Sequence, residues 1–412
     1  MDLRAKLGHL RKPNALSSEA AGKSASSLSP GGDGRREGNH GLTASPTPHG
    51  LVHATRREYP DGATHGRVTL SRARHLQAST LSLLALDDSL ATVDPARLLF
   101  VDTETTGLHG GAGTLPFLIG LGWFEASSFH VEQLFLPRPG QEGPMLRRLA
   151  ERLSRASLMV TFNGKCFDWP LLRTRLVMNR LSGLTPPAHL DLLHCARRVF
   201  RRRLATTRLQ DLERHVLGFH RVGDIDGGLI PSVYFDYLRR GPTAPLAQVL
   251  EHNVLDVVTM AAVLAELCRR VDSTADTDAA EDCLSLAEVH ARAEQLPRAE
   301  ALAVLAAERA GAGRTAFEAW WLAARLAGRR RDWATMAHRL NTALGLPRLS
   351  RGETEALHLA LARVCEHRLK DKARALHHAR SGAAAEAPAA NAKRVARLSR
   401  HVSPPQRPFD LR

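Results

Sequence analysis

The run Leu98-Leu99-Phe100-Val101-Asp102-Thr103-Glu104-Thr105-Thr106-Gly107 closes an apolar stretch with two acids two residues apart. Side chains of a strand alternate with period two, so in a strand Asp102 and Glu104 face the same way. At about 4 Å two carboxylates repel by roughly 1 kcal/mol in water and about 4 kcal/mol at an intermediate effective dielectric. A pair of this kind at the end of a buried strand calls for positive charge between its members, and a divalent cation with oxygen ligands is the usual source. An acid-x-acid pair also fits a plain exposed strand end, so two further stretches carry the weight.

The first is Phe162-Asn163-Gly164-Lys165-Cys166-Phe167-Asp168-Trp169-Pro170, a strand running into an Asn-Gly turn, an acid and a helix. Asp168 in that place fits a helix N-cap, with Pro170 in the first turn, or a third acid at the strand ends. Asn163 reads as a turn residue, and Lys165 as solvated or in reach of a phosphate. The second is Glu251-His252-Asn253-Val254-Leu255-Asp256. His252 and Asp256 are four apart and share one face of a helix, beside an apolar surface made by Val249, Val257 and Ala261. An acid there wants a partner or a metal.

The elements that must position these residues follow from periodicity. Strand Arg97 to Glu104 is followed by a hairpin, Phe117 to Phe124 and Ser128 to Leu136. Helix Glu142 to Ala156, strand Ser157 to Asn163 and helix Asp168 to Arg180 come next. A short apolar segment, Leu190 to Leu193, leads into another helix. A helix over Arg208 to Gly218 stops at its glycine, and a long helix spans Leu246 to Arg270. The hairpin followed by α/β alternation predicts a mixed sheet with helices on its faces over residues 93–272. Residues 1–92 are expected to be mostly disordered, Ser26 to Gly50 being dense in Ser, Gly, Pro and His, with Ser71 to Ala85 as a short helix leading into the folded part. Residues 280–385 are Ala-, Leu- and Arg-rich. They read as helix pairs with a period of about 35 to 39 residues, similar to tetratricopeptide-type repeats or to a plain bundle. Residues 386–412 read as a basic disordered tail.

Taken together, Asp-x-Glu, Phe-Asp before a helix and His-x-x-x-Asp in a late helix resemble the DEDD exonuclease superfamily, the DnaQ-like branch of the ribonuclease H fold. Thr103 to Leu108 matches the first motif of that superfamily. Leu118-Ile119-Gly120, Phe162-Asn163-Gly164-Lys165 and Ile230-Pro231-Ser232-Val233-Tyr234 with Tyr237-Leu238 are similar to the YprB-type ribonuclease H-like family, members of which can carry C-terminal tetratricopeptide-like repeats. The resemblance implies a metal-dependent 3′→5′ exonuclease. Asp102, Glu104, Asp168 and Asp256 would hold two Mg²⁺ or Mn²⁺ ions, and His252 would take the proton of the attacking water. In the superfamily that base is a His five residues before the last Asp or a Tyr four before it; here a His stands at the tyrosine spacing. Asp191 is either an accessory acid or the start of a helix.

The chain carries a net charge of +15, which suits a polyanionic partner. Between Asp191 and Asp211 it holds six arginines and no acid. Arg197, Arg198, Arg201, Arg202 and Arg203, with Thr105, Asn163 and Lys165, are the expected substrate contacts, DNA or RNA being the partner class. A solvated helix face is the competing reading of the arginine run. Trp169, Phe167 and Tyr234 are the aromatics that could stack on bases, with core packing the stronger reading of Phe167. The five cysteines are scattered without a Cys-x-x-Cys pair, which argues against a disulfide framework and a zinc knuckle and fits a reducing cytoplasm. No apolar run reaches the roughly 18 to 20 residues of a membrane helix, and the Arg-, Lys- and Ser-rich start leaves a transit peptide as a minor alternative. The helical region would serve a protein partner. A nucleic-acid-binding or scaffold protein of the same fold, with little cleavage, is the alternative function.

Overall fold

The structure, a computed structural model, describes residues 41–107, 113–181, 186–273 and 279–402. The expectations for residues 1–40 and for the tail after residue 402 lie outside the described residues.

A seven-stranded mixed sheet organises the first two thirds of the molecule. Its strands are β1 (Thr43–Thr47), β2 (Gly50–Pro60), β5 (Leu98–Thr105), β6 (Pro116–Glu125), β7 (Ser128–Phe135), β8 (Leu158–Thr161) and β9 (Ala188–Asp191), in the order β1-β2-β7-β6-β5-β8-β9. A two-stranded ribbon, β3 (Thr64–His65) and β4 (Val68–Thr69), stands apart. Strands β5, β8 and β9 run parallel and the other pairs are antiparallel. The expected mixed sheet with flanking helices is therefore present. The β6–β7 hairpin turns through Ala126 at φ +46°.

Around the sheet lie α1 (Ala78–Ala85), α2 (Glu142–Arg155), α3 (Asp168–Met178), α4 (Leu192–Phe200), the short α5 (Leu209–Leu212), α6 (Ile230–Arg240) and α7 (Ala244–Asp272). Helix α5 continues as one π-helical turn, Glu213–Leu217, and stops at Gly218 with φ +68°, where glycine meets no steric penalty. Alternation along β5 sets two cores. Leu98 and Phe100 join α4 and the middle of α7 on one face, while Leu99 and Val101 join α2, α3 and α6 on the other. Two glycines of β6 bring α7 close to the sheet. A Cβ on Gly120 would lie 2.4 Å from Asn253 Oδ1 and 2.8 Å from Val257, and one on Gly122 would lie 2.6 Å from Val257. That close approach delivers the 252–256 segment to the end of β5.

Residues 41–92 differ from the expected disorder. Strand β2 lies between β1 and β7, and Val68, Leu70, Leu81, Leu84 and Leu90 are buried in the main core. Within β2 only Val52 is buried, so the apolar signal of a strand is missing. Backbone pairing to β7 and ion pairs of Arg56 to Glu132 (3.0 Å) and Arg57 to Glu251 (2.6 Å) hold it instead. At the other end α14 (Pro388–Val402) replaces part of the expected disordered tail. Its Leu398 is buried, and Arg394 pairs with Glu366 and Glu386, both at 2.8 Å.

The C-terminal region is helical throughout. It contains α8 (Ala280–Arg292), α9 (Leu296–Ala310), α10 (Gly313–Arg329), α11 (Trp333–Leu344), α12 (Arg351–Val364) and α13 (Lys372–Ser381) before α14. It is not a separate bead: Leu286, Ala287, Leu302 and Ala303 share the core of α4 and α7.

Candidate active site

Strand β5 ends in the acids. Asp102 and Glu104 point toward α7, and Thr103, one step out of phase, points to the other face, where its hydroxyl donates to Asp168 at the first turn of α3. From α7, Asn253 Nδ2 donates to Asp102 Oδ2 at 2.8 Å. His252 Nε2 lies 3.9 Å from Glu104 Oε1 and 3.6 Å from Asp256 Oδ2. Glu104, His252 and Asp256 each present a ligand atom within 4.8 Å of the others. The five residues expected to do chemistry thus meet at one strand end, Asp168 being tied in through Thr103.

The charge is unbalanced. Burial, then Asp256 and Asp168, hold the Asp102 carboxyl well above the ordinary carboxylate range. Burial and the neighbouring acids, Asp102 first, do the same to Glu104. Burial pushes Asp168 up to about 6, against the lowering effect of the Thr103 hydroxyl. Asp256 is raised by burial, and Arg221 and His252 offset part of that rise. Among the described residues no arginine or lysine forms an ion pair with Asp102, Glu104 or Asp168. Half-buried acids that face one another without a cation fit a hard divalent ion.

A sign follows for the metal-free protein. A carboxyl whose folded pKa is raised binds its proton more tightly folded than unfolded, so stability falls as pH rises through that interval. For Asp168 the interval runs from 3.8 to about 6, and Asp102 and Glu104 act in the same direction. Glu213 is lowered to about 2 from 4.5, burial being outweighed by His65 and Arg221. Its stabilisation is complete above the unfolded value of 4.5, so it does not oppose the fall. Half-buried His189 and buried His378, each lowered to about 4 by burial, act in the opposite direction up to the ordinary value of 6.5, so the acids are read through the ion: added Mn²⁺ is expected to raise the melting temperature far more at about pH 7.5 than at about pH 5.5. Differential scanning fluorimetry at both pH values, with and without the ion, measures this; an equal Mn²⁺ shift at both would count against the acids as its ligands.

Two residues that sequence reasoning missed complete the site. The loop after Gly218 carries Arg221 and Asp224. Arg221 is held by Glu213 (2.6 Å), Asp224 (3.1 Å) and Asp256, and Asp224 meets His252 Nδ1 at 2.7 Å. Glu213, nearly fully buried, also accepts from the Thr259 hydroxyl. The polar run His220-Arg221-Val222-Gly223-Asp224 has no periodicity to flag it. The π-helical turn that places Glu213 is a feature seen often at functional sites, but its hydrogen-bond pattern is not readable from residue types.

The expected substrate contacts separate into groups. Thr105 donates to Gly107 O at 2.8 Å, just past the register shift that ends β5 pairing. Asn163, at φ +67°, and Lys165 give their backbone N–H groups to Asp191 at 2.8 and 3.1 Å. Asp191 also accepts from Leu193 N at 3.1 Å, so it caps α4 and shapes the turn before Asp168. Of the arginines, Arg202 pairs with Glu288 (2.7 Å) and Glu318, and Arg203 with Asp282 (2.9 Å), all in the helical region. Arg198 donates to Leu84 O at 3.3 Å. Arg197, Arg201 and Arg208 line an open cleft of about 680 Å³ with Phe162, Asn163, Thr206 and Thr207. The cleft begins at the C-terminal end of β8, the parallel neighbour of β5.

Two expectations about aromatics are corrected. Tyr234 is fully buried, its ring stacked on Phe117 and its hydroxyl bonded to Leu136 O at 3.0 Å, so it is core and out of reach of a base. Phe167 is 60% exposed, because the turn before α3 carries it outward, and it is not core. Trp169 packs partly buried on the α2–α3–α6 face.

Residues 99–268 match the family model described as the RNase_H superfamily. With the sheet and the acid cluster, this defines a ribonuclease H-like domain with a nuclease-type fold. Over 217 residues the chain is 35% identical to the uncharacterized protein YprB of Bacillus subtilis (strain 168), across 52% of this chain and 52% of that protein. The chain thus spans about half the length of the curated relative it matches. Among the described residues no helix is long and apolar enough to cross a membrane.

Proposed function

We propose that the protein is a metal-dependent 3′→5′ exonuclease that hydrolyses phosphodiester bonds. The observation that carries this is the meeting of Asp102, Glu104, Asp168 and Asp256 with His252 at the end of β5, with no arginine or lysine among the described residues paired to three of the four acids. Asp102, Glu104, Asp256 and Asp168 would hold two Mg²⁺ or Mn²⁺ ions, an all-carboxylate donor set suited to hard cations. Bound there, the ions supply Lewis acidity that makes water a nucleophile near neutral pH and stabilises the leaving oxygen. His252 Nε2 accepts the proton as the water oxygen attacks phosphorus and the 3′ oxygen departs. Asn253 fixes the Asp102 carboxylate, and Thr103 fixes that of Asp168. A nucleic-acid strand would lie along the cleft of Arg197, Arg201 and Arg208, with Phe167 offering a face on which a base can stack. Helix pairs that begin at Ala280, Gly313 and Arg351 fit a tetratricopeptide-like array for a protein partner.

The test is a panel of single- and double-stranded DNA and RNA, labelled at either end and incubated with Mg²⁺ or Mn²⁺. Loss from the 3′ end supports the reading, and binding without cleavage of any substrate supports the scaffold alternative. Arg197→Gln and Arg201→Gln are each expected to weaken binding at similar cost for all sequences and to reduce the log–log salt slope by about one. Fluorescence anisotropy across a salt series measures it, and an unchanged slope removes the cleft from the substrate path.

A further inference from the structure

We infer that Asp224 is a positioning residue that fixes the tautomer and the aim of His252; the inference rests on the nuclease reading above and deepens it. Asp224 Oδ1 and His252 Nδ1 are 2.7 Å apart. An ionised carboxylate only accepts hydrogen bonds, so the ring supplies the proton and Nδ1 is an N–H donor. The neutral ring then carries its lone pair on Nε2. That nitrogen faces the acids, 3.6 Å from Asp256 Oδ2 and 3.9 Å from Glu104 Oε1. The lone pair is thereby aimed at the space between the two carboxylates, where an attacking water has to be held.

Asp224 is itself held from several sides. Its Oδ2 accepts from Arg221 Nη1 at 3.1 Å and from Gln210 Nε2 at 3.0 Å, and its Oδ1 accepts from Ile225 N at 3.0 Å. Arg221, 5% exposed at its side chain, is anchored in turn by buried Glu213 at 2.6 and 2.7 Å. Arg221 Nη1 also lies 3.4 Å from His252 Nδ1. Two donors cannot satisfy one another, and this closeness follows from both binding Asp224. The arrangement is the logic of a carboxylate orienting an imidazole base. It also accounts for a histidine working at a spacing of four from Asp256: its direction is set by Asp224, on a different element, as well as by its place on α7.

The experiment reads the tautomer directly. Long-range ¹H–¹⁵N correlation spectra of the full chain labelled at histidine nitrogen give the protonated nitrogen, and loss of the signal in His252→Asn assigns it. The expected result is a protonated Nδ1 and a bare Nε2 in the natural chain, lost or mixed in Asp224→Ala. Asp224→Ala is also expected to lower kcat by roughly 10–100-fold with KM and Mn²⁺ affinity, the latter by calorimetry, within about twofold, and Asp224→Glu to recover part of the rate. A natural chain with the proton on Nε2, or an Asp224→Ala protein with unchanged tautomer and kcat, overturns the inference. Failure of the natural chain to cut any substrate overturns the nuclease reading instead, while the tautomer still decides whether Asp224 holds His252.

Discussion

Alanine at position 102 is expected to abolish Mn²⁺-dependent shortening of a 3′-labelled strand while leaving the protein folded. Asp102 lies at the centre of the acid cluster. It shares the α7 face of β5 with Glu104, is bonded by Asn253 at 2.8 Å, and feels Asp256 and Asp168 more than any other charges. Removing it deprives the divalent ions of a ligand, and such ions contribute several kcal/mol of transition-state stabilisation. About 4 kcal/mol corresponds to a thousandfold loss in rate. The side chain is itself under electrostatic strain, so its loss relieves repulsion, and the melting temperature of metal-free Asp102→Ala should be unchanged or higher. Gel-resolved time courses beside a thermal melt test both halves. Cleavage within tenfold of the natural chain would remove Asp102 from the chemistry, and a large drop in melting temperature would mean that the acid is structural.

The largest expected effect on stability lies away from the chemistry, at Asp282. This acid of α8 is fully buried and meets two arginines: Arg203, after α4, at 2.9 Å and Arg270, in the last turn of α7, at 2.9 Å. Arg270 is itself 4% exposed. Asp282→Ala leaves these guanidinium groups facing a site with no counter-charge, and breaking a buried pair from one side costs about 3–5 kcal/mol. Arg270 keeps Glu266 at 2.8 Å, which places the expectation at the lower end, about 3 kcal/mol. That is a large part of a typical folding margin. Urea denaturation of the full chain should show it as an early transition, with Asp282→Asn intermediate because one acceptor oxygen remains. A change below about 1 kcal/mol would show that the ion pairs of Asp282 contribute little to holding the helical region to the sheet.

The same acid explains why the arginine run was only partly legible. From residue types, Arg197 to Arg203 read as one basic stretch, either a solvated helix face or a clamp on a nucleic-acid backbone. Helical geometry divides it: Arg202 and Arg203 turn toward Glu288, Glu318 and Asp282, which lie about 80 to 115 residues further on, while Arg197 and Arg201 are left to the cleft. Strand β2 failed to announce itself for a related reason. Its register against β7 and its cross-strand pairs, rather than an apolar alternation, hold it in place.

What the sequence determined by itself was the local frame and the chemistry. Alternation placed Asp102 and Glu104 on one face of a strand, a four-residue step put His252 and Asp256 on one face of a helix, and a hairpin followed by α/β alternation predicted the mixed sheet with flanking helices. These are short-range consequences of backbone geometry, so residue types and spacing suffice. The tertiary structure decided the rest: that Gly120 and Gly122 let α7 descend far enough for Asn253 to reach Asp102, that Thr103 ties in Asp168 from the opposite face, and that a loop without any periodic signal brings Arg221 and Asp224 behind His252. Such contacts join residues tens to well over a hundred positions apart, and only the packing of whole elements sets the distances on which charge pairing and hydrogen bonding depend.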